Sequence, residues 1–227
     1  MAIEYRAVLV AFDRAYSGVG EFAAGLSRAD LLAFSRCRGW VVTDVLFHVL
    51  CDAQRALVAL ASPAPGPPDR DFVSYWTGFA AEADDPAAAA WWVRRSAAAF
   101  RDGTGVVASW QETAPAAVRA AGRADPDGYI ATQGHVLAVT DFLATLVTEA
   151  VIHHLDMTVH LPMAPSPDHH AVALATGTLD GLLGPDVSRP DEWTAEEYLL
   201  KGTGRVPLSP RDRSALAEVA EQFPLLS

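Results

Sequence analysis

Residues 140–161, TDFLATLVTEAVIHHLDMTVHL, constrain the fold more than any other stretch of the chain. Leu143, Leu146, Val147, Ala150, Val151 and Leu155 recur at helical spacing, so the segment is predicted to form one helix with an apolar face turned to a core. Thr140 followed by Asp141 supplies a capping oxygen and then negative charge in the first turn. The other face is polar. Glu149 and His153 lie one turn apart, and at about 100° per residue Thr145, Asp156 and His160 share their stripe. A carboxylate and an imidazole so placed can clamp one divalent cation. The spacing by itself equally suits a solvent-facing pair.

A second helix, residues 41–61, offers a partner. Its apolar face is Val42, Leu46, Val49, Leu50, Ala53 and Leu57, and its other face carries Asp44, His48, Asp52 and Arg55. His48 with Glu149 and His153 makes three ligands from two helices, which leaves coordination open and separates a catalytic from a structural metal. Two imidazoles and a carboxylate suit Zn²⁺, with Ni²⁺, Fe²⁺ and Mn²⁺ left open by ligand type. Taken alone, His48 also suits a surface histidine or a satisfied core one. Asp44 and Asp156 are better placed to orient imidazoles than to ligate, capping or a solvated face being the plainer role. His154 points about 100° away toward Leu143, Val147 and Val151 and is expected to be packed and hydrogen-bonded. His169 and His170 open a helix and are expected at the surface. Cys37 and Cys51 are expected to serve packing.

The remaining chain is also mainly helical. Residues 2–24 carry a helical apolar stripe, and 27–39 form a loop. SPAPGPPD at 62–69 breaks the second helix, and residues 72–79 make an aromatic connector. Asp85-Pro86 opens an Ala-rich helix to Phe100, which Gly103 and Gly105 interrupt before it continues to Arg119 with a kink near Pro115. Residues 121–128 read as a turn leading straight into the 140–161 helix. Pro162, Pro165 and Pro167 end that helix, and 168–183 form a fifth. Thr194 and Glu197 make a capping box, Gly202, Gly204 and Pro207 a bend with a short extended piece, and Ser209-Pro210 opens a final helix to Phe223. The expected fold is mainly α: an up-down four-helix bundle over residues 1–185 and a short C-terminal appendage over 186–227.

Hydrophobic residues make up 51% and charged residues 20%, enough for a sizeable core. A net charge of −11 argues against nucleic acid and anionic membrane as partners, since both demand basic surface. No apolar run spans a bilayer without an interior charge, the first residues lack a signal-peptide core, and two cysteines imply a reduced, cytoplasmic protein. HExxH, the ExxH of di-iron bundles, G-x-S-x-G and the P-loop are absent.

Trp40-x-x-x-Asp44-Val45-Leu46-x-His48-Val49, followed later by Glu149-x-x-x-His153-x-x-Asp156, resembles the DinB-like helical bundles and, more narrowly, the mycothiol-dependent maleylpyruvate isomerases. The resemblance covers roughly residues 1–183 and implies that His48, Glu149 and His153 are the metal ligands. Lys201-Gly202-Thr203-Gly204-Arg205 is similar to a Gly-Arg segment in the C-terminal region of those relatives, which makes Arg205 a candidate anion-binding residue, with a surface arginine as the plainer reading. Relatives continue into a sizeable α+β domain where this sequence has residues 186–227, which puts maleylpyruvate itself in doubt as the substrate and leaves the electrophile unnamed.

The implied activity is that of a metal-dependent isomerase or S-transferase. A metal, most simply Zn²⁺, activates a low-molecular-weight thiol, mycothiol by resemblance, for attack on a small-molecule electrophile. Asp156 and Arg205 are the candidate catalytic groups, Arg205 and Arg55 the candidate cofactor-binding ones. Trp40, Tyr75, Trp76 and Trp92 are available to wall the pocket. Two other classes stay open, a metal-binding stress or binding protein without turnover and a metal-dependent hydrolase, and the expected state is monomer or homodimer.

Overall fold

The apolar repeats of four helices close on one another into a bundle. The computed structural model describes residues 3–77 and 85–226. Helix α1 spans Tyr5–Ala24, α2 Arg28–Leu31, α3 Val42–Leu60, α4 Pro86–Ala97, α5 Gly103–Ala121, α6 Val139–Thr158, α7 His169–Leu183, α8 Ala195–Gly202 and α9 Pro210–Leu216. Short 3₁₀ turns lie at Ser74–Trp76 and Ala217–Gln222. Both α1 and α3 pack against α5 and α6, so the ring order is α1–α5–α3–α6. Phe12, Tyr16, Leu46, Leu50, Trp110, Phe142 and Leu143 fill its centre with almost no exposed surface. Losing a ring of this size from such a core costs about 3–5 kcal/mol. The chain is therefore a mainly helical bundle, the architecture that the resemblance to the DinB-like bundles implies, and no described helix is long and apolar enough to cross a membrane.

Three local departures from the sequence reading shape the site. First, residues 129–138 are not a lead-in to a helix. Tyr129–Thr132 and His135–Ala138 pair antiparallel through the two-residue turn Gln133-Gly134, whose φ values of 47° and 83° are both in the left-handed region. Glycine takes that geometry freely, whereas glutamine does so only under constraint. The proline-rich loop locks onto the hairpin: Ala64 N donates to Tyr129 O, Asp69 N to Val136 O, and Asp69 holds the His135 ring at 2.8 Å. Because the strand His135–Ala138 runs directly into α6, Ala138 rather than Thr140 takes the extended capping position.

Second, α4 and α5 are separate helices and not one interrupted helix. Asp102 caps α5 at Thr104 N, and Gly103 begins it against α3, where a Cβ would stand 2.7 Å from Thr43 Oγ1. The expected Asp85 cap of α4 is present, its side chain accepting from Ala88 N. The connector expected at 72–79 forms its 3₁₀ turn at Ser74–Trp76, and its last two residues lie outside the described ones. Third, α6 is buried nearly all round, not on one face. Its outer side is covered by α7, with Thr148 and Thr178 hydroxyls 3.1 Å apart at the contact, and α8 packs on α7 in turn. The bend after α8 holds no strand, and the last expected helix divides into α9 and a 3₁₀ turn.

His154 lies on the core side of α6, stacked on Phe22 at 5.3 Å between centroids, with Nε2 3.0 Å from Pro165 O. It is the packed, hydrogen-bonded histidine expected from its position. Burial pushes its imidazole down to about 4 from 6.5. A histidine depressed on folding stabilises fully above its unfolded value and loses that contribution as pH falls from 6.5 toward 4. The full effect is on the order of 3 kcal/mol. Urea unfolding at pH 7 and pH 4.5 checks this: the stability gap between the protein and His154→Gln should shrink at the lower pH by about 2 kcal/mol, and a constant gap would contradict the assignment.

Candidate metal centre

The α3–α6 contact turns the polar faces of both helices toward one point. His48, about two turns into α3, and His153, about four turns into α6, present their rings edge to face with centroids 4.7 Å apart. Both direct Nε2 at the same carboxylate oxygen, Glu149 Oε2, at 3.7 Å from His48 and 3.0 Å from His153. One ligand atom from each of the three residues lies within 4.8 Å of the other two. Trp40 stands over His48, 5.6 Å between ring centroids, and restricts its rotation.

The far side of His153 is anchored. Its Nδ1 lies 3.0 Å from Asp156 Oδ2, one turn further along α6 and with no exposed surface. Asp156 also accepts from the Cys37 thiol at 3.1 Å and from Arg205, whose Nη2 and Nε approach at 3.1 and 3.3 Å. Arg205 Nη1 donates to Thr203 O, and Arg36 N donates to the main-chain oxygen of Asp156. Burial raises a carboxyl, but here the surrounding His153 and Arg205 outweigh it and hold Asp156 down to about 2.

An ionised Asp156 fixes the proton of His153 on Nδ1 and aims the Nε2 lone pair at Glu149. Two acceptors facing each other at 3.0 Å need a cation between them, either a proton or a metal. In the protein alone the proton serves. Burial works against the charged imidazole, yet Asp156, Cys37 and Glu149 raise His153 well above its usual range; desolvation likewise raises the half-buried Glu149, but His153 and His48 outweigh it and hold it well below its own. The donor set of two imidazoles and one carboxylate fits Zn²⁺ in the same place.

The three residues open on a cavity of about 230 Å³ between α3, α6 and the hairpin, whose walls include Asp52, Arg55, Tyr75, Trp76, Thr132 and Gln133. Arg55 Nη1 donates to Asp52 Oδ1 at 2.9 Å. The Gln133 amide bridges the wall in the orientation that satisfies both ends, its oxygen accepting from Arg55 at 2.7 and 3.1 Å and its nitrogen donating to Tyr75 Oη at 2.7 Å. These contacts hold Gln133 in its left-handed conformation. Burial and the neighbouring Glu149 raise Asp52 to about 6 against the opposing pull of His48 and Arg55.

Residues 12–158, more than half of the chain, match the model of the mycothiol maleylpyruvate isomerase N-terminal domain. The chain belongs to this family. Neither a curated protein nor a solved structure is similar enough to extend the comparison. The matched span holds His48, Glu149, His153 and Asp156 and stops before Arg205.

Within this family member, the sequence-derived candidates divide clearly. His48, Glu149 and His153 come together, and Asp156 stands behind His153. Arg205 reaches the cavity from beyond the matched domain but is paired with Asp156, and Arg55 is paired with Asp52. Asp44 accepts from Val41 N at the start of α3, so it caps that helix instead of orienting an imidazole. Thr145 lines the cavity. His160 belongs to a different surface hollow, beside Leu161 and Met163. Trp92 packs on Phe47, away from the cavity, and half of it is exposed.

Cys37 is more than packing, because its thiol meets Asp156. It sits in a loop, where no periodicity marks a residue's direction, so nothing in the sequence signals this contact. Cys37, His153 and Asp156 form a second compact donor group, but Asp156 there already carries the Arg205 cation. Asp52 had a signal in its position one turn after His48. Thr132 and Gln133 had only the faint one of a glycine between two short apolar runs.

Removing one partner of a buried ion pair strands the other charge. Arg205→Ala is therefore expected to destabilise the protein by about 3 kcal/mol, and Arg205→Lys to recover little of it because the ammonium lacks the planar fork. Thermal unfolding of both variants, with Arg205→Ala/Asp156→Asn as the partner cycle, measures this; additive losses in the cycle would refute the coupling.

Proposed function

We propose that the protein is a metal-dependent, thiol-utilising enzyme, a mycothiol-dependent isomerase or S-transferase, with His48, Glu149 and His153 holding a divalent metal, most simply Zn²⁺. The observation that carries this reading is the convergence of two histidine Nε2 atoms on one carboxylate oxygen at the mouth of a cavity. Membership of the mycothiol maleylpyruvate isomerase N-terminal domain family supplies the thiol. A divalent cation bound at such a site lowers the pKa of a coordinating thiol and keeps it as thiolate at neutral pH.

The chain's own residues prepare for that chemistry. Asp156 keeps the His153 proton on Nδ1 and its ring fixed. Cys37 and Arg205 satisfy the remaining lone pairs of Asp156, so the carboxylate cannot swing toward the cavity to compete as a ligand. Trp40 holds the His48 ring, and Trp76, Phe142, Leu146 and Ile152 give the cavity apolar walls that exclude water from a reactive sulfur. Attack by the thiolate on an electrophilic carbon forms a carbon–sulfur bond as the π bond of the electrophile opens, its electron pair passing to the conjugated acceptor group and from there to a solvent proton. If the product then rotates about the activated bond and expels the thiol, the outcome is isomerisation. If it does not, the outcome is S-transfer.

Metal analysis of the purified protein is expected to find about one zinc per chain, abolished in His153→Ala. Asp156→Asn is expected to weaken metal affinity 10–100-fold, since it removes the group that orients a ligand. Mycothiol-dependent conversion of an electrophile, read as loss of thiol for S-transfer or as isomerised product with the thiol retained, is expected only in the metal-loaded protein, and maleylpyruvate serves as the comparison compound. Stoichiometric metal without thiol turnover would move the protein to a binding role, and a chain that takes up no metal would end the proposal.

A further inference from the structure

Resting on the thiol-dependent reading above, we infer that the second substrate of this site is an uncharged molecule bearing a hydroxyl group, and not a carboxylate. Arg55 and Arg205 are the arginines of the cavity wall, and no lysine lines it among the described residues. The sequence positions outside the described residues, 1–2, 78–84 and 227, contain no lysine, arginine or histidine. Both arginines are already committed. Arg55 gives Nη1 to Asp52 Oδ1 and both Nη groups to the Gln133 oxygen; Arg205 gives Nε and Nη2 to Asp156 and Nη1 to Thr203 O.

Three carboxylates, Asp52, Glu149 and Asp156, thus face two guanidiniums, which leaves one negative charge. A divalent cation at the histidines turns this to one positive charge, and a thiolate closes it to zero. An anionic electrophile would then enter a low-dielectric cavity with no counter-charge to meet it, and burying an unpaired charge is strongly unfavourable.

The same walls carry what an uncharged ligand needs. Asp52 Oδ2 is buried without a hydrogen-bond partner among the described residues, and its side chain is only 7% exposed. Thr132 Oγ1, on the hairpin wall of the same cavity, is likewise buried and unpartnered. Buried polar atoms are almost always satisfied in a native protein. A carboxylate oxygen accepts only, so its missing partner is a donor, and a hydroxyl group can donate to Asp52 while Thr132 completes its bonding. The apolar residues Trp76, Phe142 and Ile152 take the rest of such a molecule.

Calorimetric titration of the zinc-loaded, thiol-saturated protein with benzyl alcohol and with benzoate tests this, because the two probes differ chiefly in charge at similar size. Benzyl alcohol is expected to bind at least tenfold more tightly, and Asp52→Asn, which removes a negative charge and loosens Arg55, to shift the ratio toward benzoate by about tenfold. Tighter binding of benzoate to the unaltered protein overturns the inference, whether or not the variant folds. So does an unchanged ratio in a folded, zinc-loaded Asp52→Asn. The underlying reading fails in a different place: if no thiol saturates the zinc-loaded protein in a prior titration, the thiol assignment falls, and the charge balance falls with it.

Discussion

A carboxylate with no exposed surface must find every partner inside the protein, and Asp156 is that carboxylate here. It draws on three separate parts of the chain. His153 comes from its own helix, Cys37 from the loop before α3, and Arg205 from the bend after α8. Each contact satisfies a lone pair of Asp156, and each fixes the part of the chain that supplies it. The main-chain bond from Arg36 to Asp156 ties the loop a second time. The position of His153, and through it the geometry of the three converging side chains, depends on this one buried group. A fully paired network of this kind rigidifies its surroundings, whereas a partly paired one would be costly.

The arrangement explains why α6 is buried on both sides. A helix forming only one wall of a bundle would leave its polar stripe in water. Here α3, the hairpin and Arg205 cover that stripe while α7 covers the outer side, so the ionisable groups of the stripe are largely shielded from water and must balance one another. The result is a set of opposed shifts: Glu149 and Asp156 are held as carboxylates, His153 is driven toward the charged form until something replaces its proton, and Asp52 is raised. Titratable groups pushed apart in one cavity are the usual mark of a site that handles charge in a reaction.

The helical elements were legible in the sequence because they rest on periodicity, which also nominated the triad; the resemblance to the DinB-like bundles singled the triad out from a plain solvated face. Apolar residues every three or four positions mark α1, α3 and α6, and the four-residue spacing of Glu149 and His153 fixes their common face whatever surrounds them. His48 followed the same logic on α3. What periodicity does not encode was missed. The hairpin is two four-residue strands whose turn uses Gln-Gly in place of the commoner Asn-Gly, and its tertiary partners Pro63 and Asp69 are far along the chain. Cys37 lies in a loop. The pairing of Arg205 with Asp156 joins residues 49 positions apart, so sequence could nominate the arginine but not its carboxylate partner.

The central claim is that the His48, Glu149 and His153 cluster holds a metal with a position open to a thiol. Replacement of the native metal by Co²⁺, followed by titration with mycothiol, tests it most directly, because thiolate bonded to Co²⁺ gives a near-ultraviolet charge-transfer band that nitrogen and oxygen ligands do not. The account predicts that the band appears on adding the thiol, saturates near one equivalent, and is missing in His153→Ala. A Co²⁺-loaded protein whose spectrum does not change on adding mycothiol would contradict it.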